Sequence, residues 1–481
     1  MMKKILLLLF GLSFIYLDTT AQNRKVWTLQ ECIDYAFKHN IQVRQTELGV
    51  FRDEINLRQS RYNRLPNLNA NTGGSFNVGR SVNPFTNVIV DQDVTSQNIG
   101  LNSSVTLFNG FAQTNTINQN KANLAKSEYD LEDIKNNTAL NIVNFYLNVL
   151  LAAEQYKSTL LAIETSEIQL DRTQKQFNAG AVALQNLLQV KQQLANEELN
   201  LIRAENSLEL ARLSLKQALQ LPASTPMDIE VPEITAPSES WLSLNLEEIF
   251  DSALSLPNVK STEAQMESAE YGVSIARAGR LPSLTFSGGF GTAYSSAAPT
   301  QFPRAGSPNE LVTVPIGAVN VDGQIYPVFT QQSVPTEFTQ NTYLNQLDFN
   351  MRRFVSLNLN IPLFNRFQTN SNVSIAKINL ENATYQTLLV KNQLRQNIEQ
   401  AYYDARAAAK TYFATEKQVE SLEESFRNVE QRFNIGASDP IEYNQIKNDY
   451  NRALNDLIRA KFDYIFKLKV LDFYQGKPLE L

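Results

Sequence analysis

The 481-residue sequence contains only one cysteine, Cys32, and only one histidine, His39. One cysteine forms no internal disulfide, and one histidine cannot build the histidine cluster that holds a catalytic zinc. Phosphate-binding loops, dinucleotide fingerprints and nucleophile elbows are also missing. These absences argue against an enzyme and predict neither a cofactor nor a metal. We interpret Cys32 as a small buried apolar residue and His39 as a polar residue on a short helix.

Basic clusters and long apolar runs are scarce as well. Acidic residues outnumber basic ones by 49 to 43, and without basic runs we do not expect nucleic acid as a partner. Beyond the N-terminus no segment approaches the ~18 consecutive apolar residues of a membrane-spanning helix. The N-terminus reads MMKK, followed by the apolar stretch Ile5–Leu17 and small residues at Thr19 and Ala21. This order predicts a secretory signal peptide over residues 1–21 and therefore an exported protein.

Short motifs occur twice along the chain. "TLFNGF" at Thr106–Phe111 recurs as "PLFNRF" at Pro362–Phe367, and "QFNAGA" recurs as "RFNIGA", both with an offset of 256 residues. "RLPNL" at Arg64–Leu68 recurs as "RLPSL" at Arg280–Leu284, with an offset of 216 residues. Because the order of the motifs is kept, the sequence predicts a tandem duplication of one structural unit.

The change of offset from 216 to 256 locates an insertion in the second copy. The extra residues lie between "RLPSL" and "PLFNRF", in a stretch rich in Pro, Gln and Ser. We predict a long loop over residues 295–350. Simple flexibility and a role at the mouth of a pore both remain open for it.

Glycine and proline are absent from two long stretches, 111–179 and 365–435. In the first stretch apolar residues recur mostly at steps of three, four or seven, which is typical of a helix with a coiled-coil seam. At 1.5 Å per residue each helix would be about 100 Å long. Shorter helical runs flank both stretches, and Thr28 and Asn245 are placed to cap two of them with the help of Glu31 and Glu248.

Four other segments alternate between apolar and polar residues with a period of two. They lie at about 67–78, 98–107, 283–294 and 354–363. Such segments are typical of transmembrane β-strands that turn apolar side chains to lipid and polar ones to a lumen. A soluble hairpin with one buried face is the alternative. A membrane barrel needs at least about eight strands, so the chain would have to oligomerise, and the strand number does not choose among dimer, trimer and tetramer.

Aromatic residues follow directly where a predicted strand gives way to a long helix. Their position fits the aromatic girdle at a membrane interface. The four residues are Phe108, Phe111, Phe364 and Phe367.

The order of these elements resembles that of the TolC-like outer-membrane efflux protein family. In this sequence the order is a short helix, Arg-Leu-Pro, two strands, Leu-Phe-Asn, a long helix, a Phe-x-x-Gly turn and a short helix, and it occurs twice. The resemblance implies a fold that is mainly α with membrane β: a homotrimer whose 12-stranded outer-membrane β-barrel continues into a coiled-coil periplasmic tunnel. It also implies a periplasmic adaptor protein, an inner-membrane pump and outer-membrane lipid as partners.

The resemblance assigns the ends of the long helices to the tips of the tunnel. The first tip turn comprises Phe177 and Gly180, and the second comprises Phe433 and Gly436. Glu442 matches an acidic position that rings the constriction, where three carboxylates would favour cations and raise one another's pKa. Gln445 replaces the next acidic position. The family's charged latch corresponds to Asn186, Phe433 and Ser438, so closure is expected to rest on packing and neutral hydrogen bonds.

The sequence thus predicts a passive outer-membrane channel, with a non-conducting envelope-spanning coiled-coil scaffold or adhesin as the alternative. Its segments are the signal peptide at 1–21, the first repeat at 22–221, a Pro-rich linker at 222–244, the second repeat at 245–476 and a C-terminal tail at 477–481.

Overall fold

The computed structural model describes residues 26–82, 87–232, 245–304, 306–435 and 437–477. The predicted signal peptide, Gly436, and most of the linker and of the tail lie outside these residues. The chain divides into two compact units. The first is mainly helical and comprises Met1–Glu54, Ala122–Met266 and Asn382–Leu481; the second comprises Ile55–Lys121 and Glu267–Glu381 and holds the largest sheet.

The helices repeat along the chain in the predicted order. They are α1 (Leu29–His39), α2 (Ile41–Tyr62), α3 (Ala112–Asn178), α4 (Leu184–Ala218), α5 (Leu246–Ala253), α6 (Pro257–Ala278), α7 (Tyr343–Phe349), α8 (Gln368–Asn434) and α9 (Pro440–Tyr474). The long helices α3 and α8 each have 67 residues. Among the described helices, none has the length and apolar character needed to cross a membrane.

Ten of the twelve described strands lie between helices of one repeat, whereas β1 precedes α1 and β6 lies in the linker. They are β1 (Val26–Trp27), β2 (Asn69–Asn77), β3 (Arg80–Val82), β4 (Ile89–Asp91), β5 (Val94–Asn109), β6 (Asp228–Ile229), β7 (Ser283–Ser295), β8 (Gln301–Pro303), β9 (Asn309–Val321), β10 (Gln324–Pro335), β11 (Phe338–Gln340) and β12 (Arg352–Asn360). The segments with alternating residues become β2, β5, β7 and β12, which form one antiparallel sheet in the order β12-β7-β5-β2.

The core of the first unit is built around the middle of α3. Ile142, Tyr146 and Val149 are almost fully buried there and pack with Leu215 of α4 and with Cys32 of α1. The buried hydroxyl of Tyr146 donates to the backbone carbonyls of Trp27, at 3.2 Å, and Glu230, at 2.7 Å. Burial raises the pKa of this tyrosine, so the phenol stays a donor at neutral pH. Cys32 is the small buried residue that its sequence context predicts.

The short helices differ from the prediction because each run before a strand is broken in two. Asn40 separates α1 from α2, and its side chain accepts from the backbone N–H of Gln42 at 2.8 Å. At the equivalent place Pro257 starts α6, because proline fits the first turn of a helix but not its interior. Thr28 caps α1 in the predicted capping box, whereas Asn245 accepts from the N–H of Glu247 instead of Glu248.

The linker between the repeats is not wholly irregular. Asp228 and Ile229 form β6, which pairs in parallel with Val26 and Trp27 of β1. This pairing ties the linker to the segment directly before α1.

The insertion is also not the long loop that its composition predicts. Asn309–Val321 and Gln324–Pro335 pair as a long antiparallel hairpin, and β8 pairs with β11 at its root. At the tip, Asp322 and Gly323 both have positive φ, at 51° and 85°. This is the geometry of a type I′ turn, which Asp-Gly favours because it matches the twist of the strands.

Candidate functional site

One face of the main sheet is lined by small polar side chains. Asn69 lies opposite Asn102 across the β2–β5 pair, and Asn102 donates its amide to Asn71 at 2.9 Å. The hydroxyls of Ser75 and Ser96 are 2.7 Å apart on the same face. Because the pleat alternates, this face collects most of the asparagines and serines of the four strands, which suits it to contact with water. Phe354 also lies on this face, and Ser103 lies on the other one.

The opposite face is apolar and open. Val355, Leu357 and Leu359 of β12 are 75%, 61% and 60% exposed. Leu357 lies opposite Phe286, and Val105 of β5 lies opposite the same residue from the other side. A sheet with one mainly apolar face and one mainly polar face fits a boundary between lipid and water.

The four predicted interface aromatics form two equivalent pairs. The rings of Phe108 and Phe111 meet edge to face at a centroid distance of 5.3 Å, and those of Phe364 and Phe367 do so at 5.6 Å. All but Phe108 are more than 60% exposed. These ring pairs fit the interface between membrane and water, where aromatic rings are favoured.

The backbone turns sharply between the two rings of each pair. Gly110 and Phe111 have φ of 66° and 68°, and the equivalent Arg366 and Phe367 have φ of 54° and 59°. These left-handed residues end the extended chain, which is why the long helices begin at residues 112 and 368 and not at the predicted 111 and 365. The repeated motif therefore encodes a strand-to-helix turn.

The first tip turn has the geometry that glycine at a helix end favours. Gly180 has φ of 71°, its N–H donates to the carbonyl of Phe177, and the N–H of Ala181 donates to that of Gln176, both at 2.9 Å. These bonds form a Schellman motif, which satisfies the last carbonyls of α3. Phe177 is half-buried and Gly180 is exposed.

The second tip turn repeats part of this pattern. The N–H of Ala437 donates to the carbonyl of Arg432 at 2.8 Å, which is the equivalent of the Ala181–Gln176 bond. Phe433 stacks on Tyr443 with ring centroids 4.6 Å apart, so the aromatic side chain packs within its own hairpin. Gly436 itself lies outside the described residues.

Glu442 lies in the first turn of α9 and is held by its own hairpin. Its carboxylate accepts from the hydroxyl of Ser438 at 2.7 Å and pairs with the guanidinium of Arg432. These hydrogen bonds, with the positive charge of Arg432, lower the pKa of Glu442. Within one chain the shift is therefore opposite in direction to the mutual rise expected for a ring of carboxylates. Gln445, one turn later, is exposed.

The three predicted latch positions line one cleft. Asn186, Phe433 and Ser438 border a cavity of about 500 Å³ between the two tip turns. The tip also has a charged contact that the sequence did not predict. The guanidinium of Arg172 in α3 donates to the amide oxygen of Asn434 in α8. Within one chain, the tip is therefore held by a charged donor as well as by packing and neutral hydrogen bonds.

A buried ion pair joins the two helical hairpins further from the tip. Lys447 of α9 and Glu197 of α4 are 3.1 Å apart, with side chains only 4% and 6% exposed. Lys447 also donates to the hydroxyl of Ser166 in α3 at 2.5 Å. Burial lowers the pKa of Lys447, while the charge of Glu197 opposes that shift. The sequence analysis did not predict this pair. The signal for it was that each of the two charged residues lies in a helical seam that is otherwise apolar.

A family model described as outer membrane efflux protein matches residues 32–220 and 338–476 of this chain. In the described part of the chain, no group of three or more His, Cys, Asp or Glu side chains could hold a metal ion.

Individual proteins give the same picture. The chain is 21% identical to the outer membrane protein TolC of Escherichia coli over 76% of its own length and 72% of TolC. It is 25% identical to the pyoverdine export outer membrane protein OpmQ of Pseudomonas aeruginosa over about half of either chain, 49% and 50%. Its fold matches the crystal structure of the outer membrane protein VceC of Vibrio cholerae with a TM-score of 0.71 at 15% identity, covering 94% of this chain and 97% of VceC.

Proposed function

Because this chain belongs to the outer membrane efflux protein family, we propose that three copies form a passive channel that carries solutes or polypeptides through the outer membrane. The chain is an outer-membrane protein with its helical part in the periplasm. Members of the family are channels and not enzymes. In the proposed system a periplasmic adaptor and an inner-membrane pump deliver the cargo, and the chain itself only conducts.

The segregation of the two sheet faces carries this proposal. A lipid-facing apolar surface and a water-facing polar surface on the same four strands describe the wall of a pore. Four strands cannot close a barrel, whereas three copies supply the twelve strands of the proposed pore. Strands β2 and β12 form the two outer edges of the sheet, so each is placed to pair with a neighbouring copy.

The duplication supplies the register of that pairing. Gly100 of β5 lies opposite Gly291 of β7 within the chain. The equivalent of Gly100 in the second repeat is Ser356 of β12, 256 residues later, and the equivalent of Gly291 in the first repeat is Ser75 of β2, 216 residues earlier. In the proposed trimer, Ser356 would therefore lie opposite Ser75 of the next copy. Both serines lie on the polar face, so the same register continues the pore lining around the ring.

The helical unit also has surfaces that a second copy would cover. Large apolar side chains on its helices are 55–63% exposed, among them Leu161, Ile168, Leu188, Ile202 and Leu210. Burying such side chains is the main driving force for association, at about 25 cal/mol per Å² of apolar area. Packing of α3 and α4 between copies would build the wall of the proposed helical tunnel.

We place the constriction of the tunnel at the second tip turn. Three copies of Glu442 around one axis would present three ionised carboxylates and favour cations over anions. Ser438 and Arg432 hold each carboxylate in a defined position. We therefore assign Glu442 a role in ion selectivity.

Single-channel recording tests the proposal. The purified mature protein is inserted into a planar bilayer, and wild type is compared with Glu442→Gln. We expect discrete current steps from both and a lower cation preference from the variant. Glu430→Gln removes the same charge from the same hairpin but lies outside the contacts with Ser438 and Arg432, so it serves as the matched control.

The alternative function, a non-conducting scaffold, predicts a different result. A scaffold would give trimers in detergent but no current, even in the presence of an adaptor that binds to the tip. A chain that stays monomeric and soluble would contradict both functions.

A further inference from the structure

The hairpin formed by β9 and β10, here called the ribbon (Asn309–Pro335), exposes apolar side chains on both of its faces. Val319 lies opposite Tyr326 on one face, while Ile325 lies opposite Asn320 on the other. Nine large apolar residues of the ribbon are between 39% and 73% exposed: Leu311, Val312, Ile316, Val319, Val321, Ile325, Tyr326, Val328 and Phe329. Its only charged residues are Glu310 and Asp322.

A ribbon of this kind is poorly stabilised alone. Two strands in water are marginally stable, and a lasting structure needs further strands or a packed apolar face. The paired strands of the ribbon have 13 and 12 residues, and their length makes the uncovered surface large. A partner surface that covers the apolar side chains would therefore stabilise the ribbon.

The prolines of the ribbon limit how a partner can bind. Pro315 in β9 and Pro327 in β10 each lack a backbone N–H, and such residues are typical of edges that resist the addition of another strand. Packing of side chains against a face needs no backbone donor. The partner is therefore expected to contact the faces of the ribbon and not its edges.

We propose that the faces of the ribbon pack against the ribbons of the other two copies of this chain, beyond the outer ends of the membrane strands. The inference rests on the proposed trimer. The ribbon grows out of the connection between β7 and β12, and β12 is the edge strand to which the next copy must be joined. The next copy is thus a polypeptide that the proposed assembly always brings to this place. Among its described residues, the first repeat has the short β3–β4 hairpin at the equivalent position, so long and short hairpins would alternate around the ring.

Cysteine cross-linking of the purified trimer tests the inference. Gln324→Cys places a thiol beside the tip turn, and Ile89→Cys places one on the short hairpin as a control. The natural Cys32 is fully buried, so wild type reports the background. With a short bismaleimide, which joins two thiols, we expect cross-linked dimers from Gln324→Cys and only background from Ile89→Cys.

A second set of variants tests whether the apolar faces make the contact. Ile316→Thr and Ile325→Thr keep a β-branched residue but remove apolar surface, and each should lower the melting temperature of the trimer by a few degrees. Thr330→Ser, a polar change in the same ribbon, should leave it unchanged. A third variant replaces residues 309–335 by an Asn-Gly turn between Pro308 and Thr336. The backbone N–H of Thr336 already donates to the carbonyl of Pro308 at 3.0 Å, so a short turn can join them. The trimer of this variant should melt at a lower temperature than that of wild type.

If Gln324→Cys does not cross-link in a preparation shown to be trimeric, the inference is overturned. Equal cross-linking from Ile89→Cys would overturn it too, as would cross-linking in intact cells to a different polypeptide alone. Absence of any trimer in wild type would instead contradict the proposed function, so the two failures can be told apart.

Discussion

The guanidinium of Arg64, in the first "RLP" motif, donates a hydrogen bond to the hydroxyl of Thr114 in the first turn of α3 at 3.0 Å. Arg280, its equivalent in the second repeat, donates to the amide oxygen of Asn370 in the first turn of α8 at 2.9 Å. The two bonds explain why "RLP" and "LFN" recur together. In each repeat the arginine lies just before the first strand, and its bond links that point to the start of the long helix that follows the second strand.

We expect Arg64→Ala and Arg280→Ala to destabilise the protein by similar small amounts, about 0.5–1.5 kcal/mol each, because both bonds are exposed. Since the two bonds share no partner, the losses should add in the double variant. Thermal melting of the purified protein measures this. A loss from only one of the two variants would contradict the equivalence of the repeats.

Gly110 is predicted to tolerate no side chain. A Cβ there would lie 2.7 Å from the carbonyl oxygen of Ala278 and 2.8 Å from the Cβ of Leu281, and the φ of 66° is unfavourable for other residues. We expect Gly110→Ala to cost more than about 1 kcal/mol. Arg366→Ala is the matched control, because the equivalent position already holds a side chain at φ of 54°. The melting temperature should fall for the first variant and stay nearly constant for the second.

The proposed joint between copies predicts a specific disulfide. Ser75→Cys combined with Ser356→Cys should form an intermolecular disulfide under oxidation, because the repeated register sets these residues opposite each other. The shifted pair Phe76→Cys and Ser356→Cys should not, because a step of one residue turns the side chain to the other face. Electrophoresis without reductant reads out the result. Disulfides from the shifted pair alone would show that the register is wrong.

The buried pair of Lys447 and Glu197 predicts strongly non-additive substitutions. Lys447→Met or Glu197→Leu alone leaves one charge buried without its partner and should cost about 3–5 kcal/mol. The double variant removes both charges and should regain most of that loss. Melting of the four proteins completes the cycle. If the double variant were as unstable as the sum of the single ones, the two side chains would not be coupled.

The lowered pKa of Glu442 predicts how selectivity depends on pH. A carboxyl whose pKa lies below the usual value of 4.5 stays ionised above that value and loses its charge only as the pH falls through the lower one. The stabilising bonds from Ser438 and Arg432 are lost over the same interval. Cation preference, measured from reversal potentials, should therefore persist below pH 4.5 in wild type.

Removing the first of these bonds should move the transition. In Ser438→Ala the hydroxyl that lowers the pKa is gone, so cation preference should disappear at a higher pH than in wild type. Glu442→Gln should show no such transition. A wild-type transition above pH 4.5 would mean that the three carboxylates dominate one another, as the sequence alone had suggested.

Local properties of the sequence determined the order of the elements. The lack of glycine and proline over two stretches of about 70 residues predicted α3 and α8, because only a continuous helix uses so long a run with that spacing. The alternation of residues predicted β2, β5, β7 and β12 and assigned the asparagines and leucines to opposite faces, since the pleat has a period of two.

Only the tertiary structure decided which distant side chains meet. Lys447 and Glu197 lie 250 positions apart, and Arg172 and Asn434 lie 262 apart, so no local pattern connects them. Arg432 and Ser438 lie only ten and four positions from Glu442, and their contacts with its carboxylate lower its pKa within one chain. A contact between helices depends on their packing and rotation, which short sequence patterns do not contain, whereas a helix or strand depends on its own residues.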